Sequence, residues 1–208
     1  MKLYLNATSP FSRAVLAAAI LSNHQLELVW TDPWQESPEL IEVTPFVTIP
    51  VLTIDNGSSI SESLCICRYL IESGKGESLC DTDFRLPENV AVLGFAKTLM
   101  EIAFRTAVLP RFDMAESAWA RKGKQTLQQA VKQLEQDLAE QPARYQTADL
   151  AVLYLQVALD YLQLRHADIL SLNEYPYIRS FLRETPFTAV LQQISLATLA
   201  KQPRYGDW

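Results

Sequence analysis

The chain has 208 residues and a formal net charge of -6, enough length for one large domain or two small ones. Its excess of acid argues against a nucleic-acid partner, and no run approaches the roughly 18 to 20 apolar residues of a membrane-spanning helix. The start, MKLYLNATSP, enters a strand pattern without a signal peptide's apolar region, and Cys65, Cys67 and Cys80 make neither a disulfide framework nor a zinc spacing; a cytoplasmic protein with no membrane association and no metal site is expected.

Lys2 to Leu5 alternates as a strand. Asn6-Ala7-Thr8-Ser9-Pro10 breaks that pattern, and Val15, Leu16, Ala19 and Ile20 then recur at helical spacing. Leu26 to Trp30 makes a second strand, and a short helix is expected over Ser37 to Val43, with Pro38 in its first turn. Pro50 opens a third strand, Val51 to Ile54, at the position where a missing N–H costs least. Asp55-Asn56-Gly57 supplies hairpin chemistry before a short strand at Ser59-Ile60. Glu62 and Ser63 then stand at the N-terminus of a helix carrying Leu64, Ile66, Cys67, Leu70 and Ile71, an end that favours an anion. The order βαβ followed by ββα is thioredoxin-like.

Glycine and charge replace apolar periodicity from Ser73-Gly74-Lys75-Gly76 to Pro87, so the expected domains are residues 1–78 and 87–208, with a linker at 79–86. The fold class is therefore α/β plus all-α, a thioredoxin-like N-terminal domain followed by a helical bundle. Pro87 opens and Pro110 closes one helix, and a second runs from about Glu116 to Glu140. Residues 148–164, ADLAVLYLQVALDYLQL, are nearly all apolar and read as a buried central helix. Two short helices, about Tyr175 to Glu184 and Phe187 to Leu199, close the chain.

A proline-led strand, a hairpin and a Glu-Ser helix start, TPFVTIPVLTIDNGSSISESLCICRYL from Thr44, resemble the glutathione-binding half of the glutathione transferase family's first domain. TADLAV after Tyr145 resembles the start of that family's central helix, normally Ser-x-Ala-Asp, whose Ser and Asp form a capping pair. Here Gln146, a poor N-cap, holds the cap position, and Thr147 could cap one residue later with Leu150 at the reciprocal site. YPYIRSFLRETPF from Tyr175 resembles the closing helices.

The resemblance implies that Ile49-Pro50 is cis, that the backbone of Ile49 pairs with the cysteinyl part of glutathione, and that Glu62 and Ser63 receive its γ-glutamyl end. SPFSRAV resembles the start of the serine-type transferases and makes Ser9 the donor to the glutathione sulfur, with Thr8 and Ser12 as alternatives. Glutathione would then be the co-substrate and a small hydrophobic electrophile its partner. The protein would be a homodimer with a detoxifying transferase activity, or an isomerase or dehalogenase at the same site. Val47 and Thr48 stand where many members carry Gly and Lys. That departure implies an alternative, a catalytically weak or inactive relative acting as a protein-interaction or stress-response module.

Overall fold

The computed structural model describes residues 1–35 and 37–208. The chain divides into two compact units, one of residues 1–81 with 189–208 and one of residues 82–188. The first has the expected thioredoxin-like order: β1 (Lys2–Leu5), α1 (Pro10–Leu21), β2 (Glu27–Trp30), α2 (Pro38–Val43), β3 (Val51–Thr53), β4 (Ser59–Ser61) and α3 (Ser63–Ser73). The sheet order is β2-β1-β3-β4, with β1 parallel to β2 and antiparallel to β3, and β3 antiparallel to β4.

Each element begins where its local chemistry allows. Ser9 and Ser37 cap α1 and α2, each followed by a proline at the first helical position. Gly57, at φ 87°, makes the β3–β4 turn, its N–H donating to the carbonyl of Ile54. The core is Leu3, Leu5, Val51 and Leu52 from the sheet with the run Ala14 to Ala19 of α1 and Ile66, Cys67 and Leu70 of α3. Small residues on α1 let it pack against α3. Gly74 and Gly76, which read from sequence as linker composition, are packing positions. A Cβ on Gly74 would lie 2.5 Å from the carbonyl oxygen of Ser22, and one on Gly76 would run into that of Leu21. The N–H groups of Lys75 and Gly76 instead donate to the carbonyl of Ser22, closing the chain onto the end of α1.

Residues 189–208 group with this unit for identifiable reasons. Arg13 on α1 donates from Nη2 to the carbonyl of Leu191 (2.8 Å) and from Nε to that of Ile194 (3.2 Å). Trp30 at the end of the edge strand β2 donates its indole N–H to the carbonyl of Pro203 (3.2 Å). The single closing helix expected from Phe187 to Leu199 is two, α8 (Thr188–Gln193) and α9 (Leu196–Leu199). Ser195 separates them, because its Oγ accepts from Thr198 N–H and so starts a new helix.

The second unit is helical: α4 (Pro87–Val108), a 3-10 turn at Leu109–Phe112, α5 (Ala118–Glu140), α6 (Leu150–Arg165) and α7 (Pro176–Glu184). Every residue of α6 from Leu150 to Leu159 is buried, so this helix is the axis on which α4 packs. Its start differs from both sequence alternatives. Asp149 is the N-cap, its Oδ1 accepting from Val152 N–H and its Oδ2 from Thr147 Oγ1, each at 3.0 Å. Asp is a far better cap than Gln, so the helix begins beyond Gln146 and Thr147, and Thr147 supports the cap instead of forming it. Glu135 of α5 accepts from Tyr177 and Ile178 N–H, both at 2.9 Å, and caps α7 from a neighbouring helix. Among the described residues no helix is long and apolar enough to cross a membrane, and no group of three His, Cys, Asp or Glu gathers that could hold a metal ion.

Candidate functional site

Strand register decides which loops meet. Tyr4 pairs with Val51, and Val51 with Ser61, so the C-terminal end of β1, the N-terminal end of β3 and the C-terminal end of β4 lie side by side. The segments running off these three strand ends carry Ser9, Ile49-Pro50 and Glu62-Ser63 respectively. All five residues named from the sequence therefore belong to one end of one sheet.

Ser9 is held by its neighbours. Asn6 Oδ1 accepts from the N–H of Thr8 (3.1 Å) and of Ser9 (2.8 Å), a local turn that sets the entry to α1. Asn6 was not singled out from the sequence, although an Asn three residues ahead of a Ser-Pro helix start carries that signal. Ser9 Oγ accepts from Ser12 N–H at 3.2 Å, and Ser9 is 9% exposed. A serine hydroxyl accepts and donates at once, so this cap leaves its proton available. Of the two alternatives, Thr8 is exposed, whereas Ser12 is fully buried with an Oγ that has no partner.

Ile49-Pro50 is a cis bond. Pro50 is buried, and the side chains of Ile49 and Val47 pack on a cluster of Tyr4, Leu40 and Val51. Val47 has φ 48°, the left-handed region where a β-branched side chain is a rarity. Thr44 ties this loop to β4, its Oγ1 lying 3.2 Å from Ser61 Oγ and accepting from Phe46 N–H at 3.4 Å.

Glu62 has φ 77° and caps α3 with its own carboxylate, Oε2 accepting from the N–H groups of Leu64 (3.0 Å) and Cys65 (3.2 Å). Ser63, 3% exposed, donates its hydroxyl to Glu62 Oε1 at 3.3 Å. The helix end that the sequence offers to an anion thus already holds a carboxylate of the chain itself. Any second carboxylate arriving there meets Glu62 as well as Ser63. Among the basic side chains of this unit, Lys2 pairs with Glu27 (3.1 Å), Arg68 with Asp81 (2.7 Å), and Arg13 with the two carbonyls already named. Cys67, on the inward face of α3, is fully buried, and burial pushes its thiol far above the usual range, so it is packing and not a nucleophile. Cys65 and Cys80 are exposed.

Residues 8–73 match the sequence family described as glutathione S-transferase, N-terminal domain. No curated protein matches the chain. Among solved structures, a glutathione transferase family member from Pseudomonas fluorescens Pf-5 with bound S-(propanoic acid)-glutathione is 23% identical, with a TM-score of 0.72 over 98% of this chain and 99% of its own. A glutathione S-transferase from Methylobacillus flagellatus KT with glutathione bound is 22% identical, with a TM-score of 0.76 over 94% of this chain and 96% of its own. A Gtt2-class glutathione S-transferase of Vibrio parahaemolyticus is 20% identical, with a TM-score of 0.75 over 96% and 99%. At such identities the likeness is one of fold, and it runs nearly the whole length of both chains. The sequence match thus covers the first domain, residues 8–73, and the fold of the whole chain is that of solved glutathione S-transferases.

Proposed function

We propose that this protein is a glutathione transferase that activates the thiol of glutathione for attack on a small hydrophobic electrophile, as a homodimer in the cytoplasm. The observation that carries this reading is the meeting at one sheet end of a Ser9 hydroxyl with its proton uncommitted, the cis Ile49-Pro50 edge and the Glu62-Ser63 helix start. Ile49 lies just outside the β3 ladder, so its backbone is placed to pair with the extended cysteinyl part of glutathione. Ser63, beside Glu62, is assigned to the γ-glutamyl end, whose ammonium suits the Glu62 carboxylate and whose carboxylate suits the helix N-terminus.

Ser9 is assigned as a hydrogen-bond donor to the sulfur. A free thiol has a pKa of about 8.5 and reacts as the thiolate. A donor at the sulfur stabilises that thiolate, the thiol proton leaves to solvent, and the sulfur forms its bond to the electrophile as the leaving group departs. Neither nucleophile nor base is asked of Ser9. The test is Ser9→Ala. Glutathione affinity stays nearly unchanged, while the thiol pKa of the bound complex, followed by thiolate absorbance, rises with a loss of about 1.5 to 3 kcal/mol, roughly ten- to a hundredfold in thiolate. Thr8→Val and Ser12→Ala are the controls. A rise in either of them and none in Ser9→Ala removes Ser9 from the role.

A second reading, a non-catalytic interaction module, is favoured by Val47 and Thr48 in place of the Gly and Lys of many relatives, and by the pairing of Lys2, Arg13 and Arg68 elsewhere. Retention on immobilised glutathione separates the two. Passage through the column at physiological ionic strength sinks the enzyme reading, and a monomer in sedimentation at micromolar concentration removes the dimer.

A further inference from the structure

The hydroxyl of Ser9 can serve a sulfur only if the first turn of α1 stands still, and that turn is held from a distant part of the chain. Within α1 two bonds fix Ser9: its Oγ accepts from Ser12 N–H at 3.2 Å, and its carbonyl accepts from Arg13 N–H at 3.1 Å. Such bonds alone leave a helix end free to fray. Arg13 lies one turn beyond Ser9, on the same face of the helix, and its side chain reaches out of α1. Nη2 donates to the carbonyl of Leu191, 178 positions away, at 2.8 Å, and Nε to that of Ile194, 181 positions away, at 3.2 Å.

These two acceptors need Arg13 as much as it needs them. Helix α8 ends at Gln193, so its last carbonyls lack partners within the helix. Among the described residues no backbone N–H donates to the carbonyl of Leu191 or of Ile194. Leu191 is 2% exposed and Ile194 is fully buried, so water has little access to either, and a buried carbonyl without a donor is costly. A guanidinium meets both acceptors with a fixed planar fork, whereas a lysine ammonium is a point donor on a flexible stem. With these donors turned to carbonyls, Arg13 acts on the site through the backbone of α1 and not as a clamp on a ligand.

We infer that Arg13 is a positioning residue for Ser9: by gripping the carbonyls at the end of α8 it fixes the first turn of α1, and with it the direction in which the Ser9 hydroxyl points. The inference rests on the role proposed above for Ser9. It makes the segment 191–194, remote in sequence from the sheet end, part of what sets the thiol pKa of bound glutathione, because a donor displaced by a fraction of an ångström loses much of its effect.

The test compares Arg13→Lys, which keeps the charge and gives up the fork, with Arg13→Met, which loses both. In each the thiol pKa of bound glutathione rises, leaving about three- to tenfold less thiolate at neutral pH, while glutathione affinity stays within about twofold. In a Ser9→Ala background Arg13→Lys causes no further rise, since its effect runs through the Ser9 hydroxyl. Without glutathione, amide exchange at Ser12 and Arg13 quickens at least about fivefold, and exchange at Ile66 and Leu70 of α3 changes less than about twofold, which separates a loosened turn from a destabilised fold. If Arg13→Met does not fold, Arg13→Lys carries the comparison. A thiol pKa unmoved by Arg13→Lys, an equal rise in the Ser9→Ala background, or unchanged exchange at Ser12 each overturns the inference. A wild-type protein that binds glutathione without lowering its thiol pKa ends the role of Ser9 instead, and the exchange measurement alone then decides whether Arg13 holds the turn.

Discussion

Val47 combines a departure seen in the sequence with a backbone conformation seen only in the fold, and its substitution tests both. At φ 48° any residue with a Cβ crowds its own carbonyl, at a cost of about 1–2 kcal/mol. Val47 offsets part of this by packing half-buried on Tyr4, Leu40 and Val51, and half of a valine's burial is worth about 0.8–1.5 kcal/mol. Val47→Ala loses most of the packing and keeps the crowding. Val47→Gly loses the packing, removes the crowding, and adds about 0.4–1 kcal/mol of unfolded-chain entropy. The expected order is Val and Gly within about 1 kcal/mol of each other, with Ala below Gly by about 0.5–1 kcal/mol, the reverse of the ordering at ordinary backbone positions. Equilibrium unfolding in urea measures it, and thermal midpoints should separate Gly from Ala by about 1–4 °C for a chain of this size. An alanine variant as stable as the glycine variant would refute the reasoning, because it would mean that position 47 does not hold its left-handed conformation in solution.

Thr48 is exposed on the same loop, so Thr48→Lys should restore a cation there without disturbing the fold. Glutathione affinity by calorimetry should rise about two- to fivefold, the worth of one solvent-screened contact, and fall back with added salt. Asp149→Ala removes the cap of the central helix and strands Val152 N–H in a buried position, so unfolding free energy should drop by about 1–2 kcal/mol; Asp149→Asn should recover much of it, and Thr147→Val should cost less than Asp149→Ala. Tyr205 has a buried hydroxyl without a partner, and burial pushes it up to about 12. Its folded pKa lies above the unfolded value of about 10, so Tyr205 adds no pH dependence below about pH 10, and stability falls as pH rises from 10 toward 12, where the unfolded chain ionises first. Tyr205→Phe should therefore leave stability at neutral pH unchanged or raised by about 1 kcal/mol, and make the alkaline fall between pH 10 and 12 shallower in pH-dependent unfolding.

Much of this protein is legible in its residues because the signals are local. Pro38 in the first turn after Ser37 starts α2 where the sequence indicates, and the DNG turn forms between two strands whose pairing it dictates. The apolar run of α6 announces a buried helix, since no amphipathic face is left for solvent. The Ser-Pro-Phe, Ile-Pro and Glu-Ser signatures, each weak alone, fall at one sheet end because they occur in the order that a thioredoxin-like topology brings there.

What tertiary structure alone decided concerns groups whose partners are far away in sequence. Nothing local tells that Arg13 is spent on carbonyls at 191 and 194, or that residues 189–208 group with the first unit, since those contacts span more than 170 positions. Gly74 and Gly76 look like linker composition because a glycine that admits a neighbouring backbone and one that merely bends the chain are the same letter. The Glu62 carboxylate turns back onto its own helix through a positive φ, a choice of backbone well that the residue name does not reveal. Asp149 takes the cap from Gln146 and Thr147 because the start of a buried helix is set by which acceptor can reach the buried Val152 N–H, and that reach is a distance, not a motif.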